Sequence, residues 1–349
     1  MKAKYLMIAT VATMLAACSN DENEVNNGPV EARITAGMGA ETRAVNDNPS
    51  TWTTNDHIGV MVTKVTAGSG STTSDMVSRY KNVDYKSNTN GETAGFAVET
   101  AGTGIFFQDA TETATFAAYY PYTSSTNAST LPGTDGAITI DTQNNNTDVK
   151  QATIDFLFAS GATASKGEPT VEFKDNSSTS GGINCQFQHK MAQLKLIVVG
   201  STADGFTVDE AKAVCAAGSD YELGGLIHEG TFTLAVPIDG TATGIAATTS
   251  ASAVDNWNIK SCMHTDSENT YTRTYTLILF PQNCSSSALS FTATIGGQTY
   301  TNKGDISPNL EAGNTYEYTI TVKKKGLTVS GCTIKGWGTG STGSGDAIM

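Results

Sequence analysis

Short runs of alternating apolar and polar residues recur along most of the chain. Residues 30–40 alternate without a break, with apolar side chains at the even positions and Glu31, Arg33 and Thr35 among the odd ones. A period of two is typical of a β-strand with one buried face. The sequence therefore predicts one long strand near the N-terminus, followed by a turn-like Asn/Pro segment at 46–49.

Further runs of this kind are separated by Gly, Ser and Asn clusters, and long helical periodicities are scarce, so the chain is predicted to be all-β. The predicted strands fall at 58–62, 80–85, 95–98, 113–122, 154–159, 170–173, 185–189, 194–199, 231–236, 271–280, 289–295 and 315–322, with a last apolar segment at 327–337. The Asn-rich segment 141–148 is predicted to be an exposed loop. About seven strands in each half favour two β-sandwiches, with the boundary near the Ser/Gly stretch 176–182.

The first 17 residues have the three parts of a secretory signal peptide. Lys2 and Lys4 precede a short apolar run, and Leu15-Ala16-Ala17-Cys18 matches a lipobox. We therefore predict cleavage after Ala17 and lipidation of Cys18. The polar, acidic residues 19–24 are predicted to form a disordered tether. No other stretch is long and apolar enough to predict a transmembrane span.

Composition narrows the possible partners. The formal net charge is −13, and removal of residues 1–17 takes away two lysines and no acidic residue, which leaves the mature chain near −15. Such a charge disfavours nucleic acid and anionic lipid headgroups as partners. Five cysteines follow Cys18, an odd number without a C-x-x-C pair. Buried thiols are expected, with one disulfide left open.

Catalytic and metal-binding motifs are missing from the sequence. The four histidines lack H-E-x-x-H spacing, and Cys262, His264 and Cys284 lack a convincing fourth zinc ligand. The G-x-G-x-x-G match at 338–343 has too few residues after it for the helix of a dinucleotide site. Neither an enzymatic activity nor a cofactor is predicted. His189 lies in an apolar alternating run and is expected to be a hydrogen-bonded core residue.

Short segments spread over the chain resemble the fimbrillin family, the type V pilin subunits of Bacteroides-type bacteria. Each is weak alone, and their shared order is the specific signal. They are the lipobox at Cys18, Thr42-Arg43-Ala44, Trp52 with 56–60, and the segments 116–122, 187–194, 279–282, 310–316 and 334–337.

The resemblance implies a cell-surface fimbrium subunit made of two tandem transthyretin-like β-sandwiches and exported as an outer-membrane lipoprotein. It implies a signal peptide at 1–17, a lipidated tether and removable first strand at 18–44, an N-terminal domain at 45–182 and a C-terminal domain at 183–349. An arginine-specific protease would cut after Arg43, and donor-strand exchange would then join the chain to other pilin subunits. Arg33 is the rival site, but it lies inside the alternating run.

Two other classes of function stay open at this point. A surface glycan-binding lipoprotein would present an exposed aromatic platform, for which Trp257 and the tyrosines are candidates while Trp337 is expected to be core. A secreted hydrolase would need clustered catalytic side chains, which the motif search does not find. A detachable first strand favours the pilus subunit.

Overall fold

The computed structural model describes residues 28–38, 51–67, 74–133, 135–215, 220–234, 245–249, 253–284, 289–295, 297–324 and 326–337. Strands dominate these residues, which confirms the all-β prediction. The elements of the first half, in chain order, are β1 Val30–Glu31, β2 Arg33–Gly37, β3 His57–Thr66, α1 Met76–Arg79, β4 Val83–Ser87, β5 Thr93–Val98, β6 Phe106–Phe107, β7 Thr113–Tyr120, β8 Ala137–Asp141, a 3-10 turn Gln151–Thr153, β9 Leu157–Ser165, β10 Thr170–Phe173 and β11 Gln188–His189.

The second half adds fourteen strands, the first of which follows β11 after two residues. These elements are β12 Ala192–Gly200, a 3-10 turn Thr202–Asp204, α2 Val208–Lys212, a 3-10 turn Ala213–Cys215, β13 Asp220–Gly224, β14 Glu229–Leu234, β15 Ile245–Thr249, β16 Trp257–Asn258, β17 His264–Ser267, β18 Thr272–Leu279, β19 Gln282–Asn283, β20 Leu289–Ile295, β21 Gln298–Ile306, β22 Asn309–Leu310, β23 Asn314–Lys323, β24 Gly326–Val329 and β25 Thr333–Gly336.

An eight-stranded sheet organises the first half, in the order β10-β2-β5-β4-β3-β7-β9-β11. Strand β10 at one end lies against β9 near the other end, so the sheet curls around its own apolar face. The face that it encloses is the first core, which contains Trp52, Phe116 and Phe173. The predicted N-terminal strand forms as two short pieces: β1 pairs with β6, and β2 is an inner strand of this sheet.

A six-stranded and a four-stranded sheet organise the second half, in the orders β17-β18-β12-β23-β24, with β25 also on β23, and β16-β13-β20-β21. Side chains of both sheets, among them Leu196, Tyr275 and Phe291, form the second core. The change from the first to the second core occurs between Phe187 and Ala192.

A third apolar cluster, the junction core, draws on both halves. Strand β7 shows how it arises: Phe116 and Ala118 face the first core, while Ala117 and Tyr119 face the junction core. Both faces of this central strand are buried, so its sequence is apolar at consecutive positions. The members are Met61, Ala117, Tyr119, Ile138, Ile140, Ile154, Phe156, Phe158, Met191, Phe232, Leu234, Ile278, Phe280 and Trp337.

Two sequence predictions are wrong in detail. The segment 141–148 is not simply an exposed loop, because Thr142 and Asn146 have no exposed surface. The residues just before it form β8, which pairs with β14 of the second half and ties this segment to the junction core. The strand predicted at 80–85 begins only at Val83, and the short helix α1 comes before it.

Candidate functional site

Strand β2 carries the apolar face predicted for residues 30–40. Ala32, Ile34, Ala36 and Met38 are 0–5% exposed and all belong to the first core, whereas the side chain of Arg33 is exposed. Ala40 lies outside the described residues. The alternation thus places one face of the strand in the core and part of the other face at the surface, as a period of two requires.

Both edges of β2 are hydrogen-bonded. Residues 33–36 run parallel to residues 170–173 of β10, and residues 34–37 run antiparallel to residues 93–96 of β5. Just outside the strand, the Ala32 amide donates to the Ile105 carbonyl at 2.8 Å and the Met38 amide donates to the Glu92 carbonyl at 3.0 Å. Removal of β2 would expose two unpaired strand edges and an apolar groove between them, which is a template for another strand.

Two side chains from elsewhere in the chain also bind the backbone of this segment. The indole Nε1 of Trp52 donates to the Ala36 carbonyl at 2.8 Å, and Nε2 of Gln186 donates to the Met38 carbonyl at 3.1 Å. Sequence reasoning singled out Trp52 only as part of a family segment and missed Gln186. A side-chain donor that binds a distant backbone carbonyl produces no periodic pattern in the sequence.

The two predicted processing residues, Cys18 and Arg43, lie outside the described residues. The rival cleavage site, Arg33, is inside β2, and its amide donates to the Pro169 carbonyl at 2.9 Å. The backbone at Arg33 is thus held in the ladder with β10, and the pairing with β5 begins at the next residue, Ile34.

Two of the four histidines, His189 and His228, are buried in the fold. His189 is buried, as predicted: its Nδ1 is 2.6 Å from a carboxylate oxygen of Asp155, and its ring stacks on Trp337 at a centroid distance of 3.7 Å. His228 is also buried, and burial lowers its pKa to about 4, so the ring is neutral at pH 7. Within the described ranges, no three His, Cys, Asp or Glu side chains are placed to hold a metal ion.

The cysteines behave as core residues. All five in the described part of the chain are free thiols, and four of them are buried, which confirms the prediction of mostly buried thiols. Burial raises the pKa of Cys262 to about 12 and that of Cys284 to about 11. Thiols with such pKa values are neutral at physiological pH and are poor nucleophiles.

The tryptophans do not form a sugar-binding platform. Trp52, Trp257 and Trp337 are 0%, 4% and 0% exposed. The Trp257 indole packs edge-on against His228 and donates to the Gln143 carbonyl at 3.2 Å. This removes the main sequence feature that favoured a glycan-binding protein. Separately, no helix in the described ranges is long and apolar enough to cross a bilayer.

The fold is an all-β chain with three apolar clusters, in which β2 fills a groove between β10 and β5. The family model described as fimbrillin-like matches residues 42–337, and the chain belongs to this family. The family is one of fimbrial structural subunits and not of enzymes.

Individual relatives agree with this assignment. The chain is 26% identical over 352 residues to a Bacteroides uniformis protein named "Putative fimbrium subunit Fim1C", with 98% of each chain covered. The crystal structure of a "putative cell adhesion protein" from Bacteroides ovatus is similar with a TM-score of 0.61 and 26% identity, over 89% of this chain and 98% of that one. A second such structure, from Bacteroides uniformis, has a TM-score of 0.58 and 22% identity over 90% and 100%, and shows the fold alone.

Proposed function

We propose that this protein is a structural subunit of a cell-surface fimbrium that assembles by exchange of its first strand. The observation that carries the proposal is the position of β2. It is an inner strand of the eight-stranded sheet, its apolar face lies in the first core, and only the segment that contains Arg43 connects it to the rest of the chain. Membership of the fimbrillin-like family supports the same role.

In this proposal, Cys18 receives a lipid and the signal peptide 1–17 is then removed, so that the lipid holds the subunit at the outer membrane. An arginine-specific protease then cuts after Arg43. The intact chain keeps β2 at a high effective concentration near its own groove, and cleavage removes that advantage. A strand from another subunit then takes its place by β-augmentation, and the resulting fimbrium supports adhesion.

The other arginines support Arg43 as the point of cleavage. The described ones are Arg33 in β2, Arg79 at the end of α1 and Arg273 in β18. Arg273 is 2% exposed and forms an ion pair with Asp266 at 2.8 Å. Proteases bind their substrates as extended chains, so arginines held in ladders or in a helical turn are poor sites.

We further propose that the two halves are two tandem transthyretin-like β-sandwich domains, with the boundary near residue 182. The change of core between Phe187 and Ala192 supports a boundary in this region. The three-stranded sheet β15-β14-β8 and the junction core would then form the interface between the domains.

The test uses the purified chain from residue 19 onward, digested with an arginine-specific protease. The wild-type chain should be cut after Arg43 and then form oligomer ladders and filaments visible by electron microscopy. Arg43→Ala should stay intact and monomeric, and the matched variants Arg33→Gln and Arg79→Gln should behave as wild type. Assembly of Arg43→Ala under the same digestion would refute the gating step.

Attachment at Cys18 needs a separate experiment in cells that carry the full chain. Cys18→Ala should lose labelling by a fatty-acid precursor and accumulate as unprocessed protein. Cys332→Ser, which changes a cysteine of the second half, is the control and should label normally. Normal labelling of Cys18→Ala would refute the proposed lipid anchor.

A further inference from the structure

We propose that Trp52 and Gln186 form a clamp that selects two consecutive small residues in whichever strand occupies the place of β2. In the intact chain these residues are Ala36 and Gly37. The inference rests on the proposed strand exchange and specifies the incoming partner. That partner is an extended segment of another subunit, with alternating apolar residues and a Gly, Ala or Ser pair at the clamp.

Trp52 is also held in place by contacts outside β2. Its amide donates to the Gly91 carbonyl at 2.8 Å, and its own carbonyl accepts from the Gly91 amide at 3.0 Å. Its ring makes edge contacts with Phe96, Tyr120 and Phe187 at centroid distances of 5.0–5.8 Å. None of these residues belongs to the segment removed by cleavage at Arg43, so the indole stays at the base of the groove when β2 leaves.

On the inner face, position 36 holds a methyl group that is fully buried in the first core. Trp52 and Ala36 are both 0% exposed, and the indole N–H donates to the carbonyl of Ala36. A larger side chain at this position would have to displace closely packed core atoms, and overpacking of this kind is destabilising. An empty groove leaves the buried indole N–H without its Ala36 partner, a state that a well-placed strand carbonyl relieves.

On the opposite face, the chain is closed in at Gly37. A Cβ atom there would lie 3.3 Å from the Phe173 carbonyl oxygen, which is tight, and 3.4 Å from Nε2 of Gln186, which is close contact. The Phe173 atom is backbone and gives way less readily than a side chain. Gln186 is itself engaged, since Nε2 donates to the Met38 carbonyl at 3.1 Å. A branched or long side chain at position 37 would carry atoms beyond Cβ into this space and strain the hydrogen bond of Gln186, whereas a small residue needs a shift of only a few tenths of an ångström.

The apolar alternation does not fix the register of the strand completely, and the clamp decides between the registers that remain. A slip by one residue turns every side chain to the wrong face, so the apolar pattern alone forbids it. A slip by two keeps the apolar face inside and is not forbidden by the pattern. It would, however, bring a residue such as Ile34 to the narrow position against Trp52. The small pair therefore fixes the absolute register of the strand.

A competition assay tests the clamp on the cleaved full chain. A fluorescent peptide of residues 28–40 is bound to protein cut after Arg43, and unlabelled peptides compete for the groove. Ala36→Leu and Gly37→Val peptides should compete about tenfold or more less well than wild type. The Arg33→Gln peptide, changed at an exposed position, should compete within about twofold of wild type. The protein variant Trp52→Phe keeps an aromatic ring but lacks the N–H, and should bind the wild-type peptide about fivefold more weakly.

The outcomes separate the clamp from the proposed exchange. If the wild-type peptide binds and Ala36→Leu competes equally well, the clamp is refuted while exchange stands. If the wild-type peptide does not bind, strand exchange is refuted. The clamp is then tested separately, by amide hydrogen exchange in the intact chain. There, Ala36→Leu should accelerate exchange over residues 33–38 relative to Arg33→Gln, and equal protection in the two variants would overturn the clamp.

Discussion

The side chain of Asn146 makes both of the hydrogen bonds with Ile278 that a neighbouring strand would make. Its Nδ2 donates to the Ile278 carbonyl at 2.8 Å, and its Oδ1 accepts from the Ile278 amide at 2.7 Å. Strand β17 pairs with β18 only over residues 272–275. Asn146 and Gln151, whose Nε2 donates to the Thr276 carbonyl at 2.7 Å, continue the pairing beyond that point and join the first half to the second.

Replacement of Asn146 by alanine should therefore destabilise the whole chain. The change leaves the amide and carbonyl of Ile278 buried without these partners, at about 1–3 kcal/mol for each group. Urea unfolding should show a loss of about 2–6 kcal/mol. Asn144→Ala, at an exposed position of the same segment, is the control and should lose less than about 1 kcal/mol. Similar losses for the two variants would contradict this account.

His189 should matter for stability and not for partner binding. Its hydrogen bond to Asp155 and its stacking on Trp337 are fully buried. His189→Ala leaves a carboxylate buried without this partner, which should cost about 3–5 kcal/mol and lower the melting temperature. The double variant His189→Ala with Asp155→Ala should be less destabilised than the sum of the single variants. Unchanged stability together with loss of subunit binding would point to a functional role.

Acid should destabilise the fold through His228. The buried ring has a folded-state pKa near 4, below the value of about 6.5 expected when the chain is unfolded. The unfolded state therefore binds a proton first, and stability falls as the pH drops from about 6.5 to about 4. Over that range the loss should reach about 3 kcal/mol. Urea unfolding at pH 7, 5.5 and 4 should show a shallower pH dependence for His228→Gln, and equal slopes would argue against this role.

The native chain should react slowly with thiol reagents. Four thiols are buried, and Cys332 is the partly exposed one among the described cysteines. In the chain from residue 19 onward, a colorimetric thiol reagent at pH 7.5 should label at most one cysteine before unfolding and all five in denaturant. Cys332→Ser should abolish the early labelling. Fast reaction of a buried cysteine such as Cys262 would show that the second core opens readily.

The alternation over residues 30–40 was sufficient to predict β2, its buried face and the exposure of Arg33, because side-chain direction in a strand follows from local geometry alone. The same argument located most of the long strands, including β3, β7, β12, β18 and β23. Strands β8, β13, β15 and β21 were missed. They lie in polar or Gly-rich stretches, where pairing with distant strands outweighs the local pattern.

Family segments and local chemistry placed His189 and Trp337 in the core and predicted buried thiols. They gave no indication that residues 141–151 join the two halves. The polar composition of that segment is typical of a surface loop. Its side-chain amides bind the backbone of β18 only because β17 leaves the edge of that strand unpaired there. Trp257 likewise stayed undecided until the structure placed it against His228.

The sequence by itself determined the all-β class and the alternating strand near the N-terminus, and it suggested the sites proposed for lipidation and cleavage, since each depends on residues adjacent in the chain. The tertiary structure decided that β2 is an inner strand, that β10 and β5 form the walls of its groove, and that Trp52 and Gln186 bind its carbonyl groups. These contacts join residues from 16 to 148 positions apart. Contacts of this kind form only when the whole sheet closes, so no local pattern encodes them.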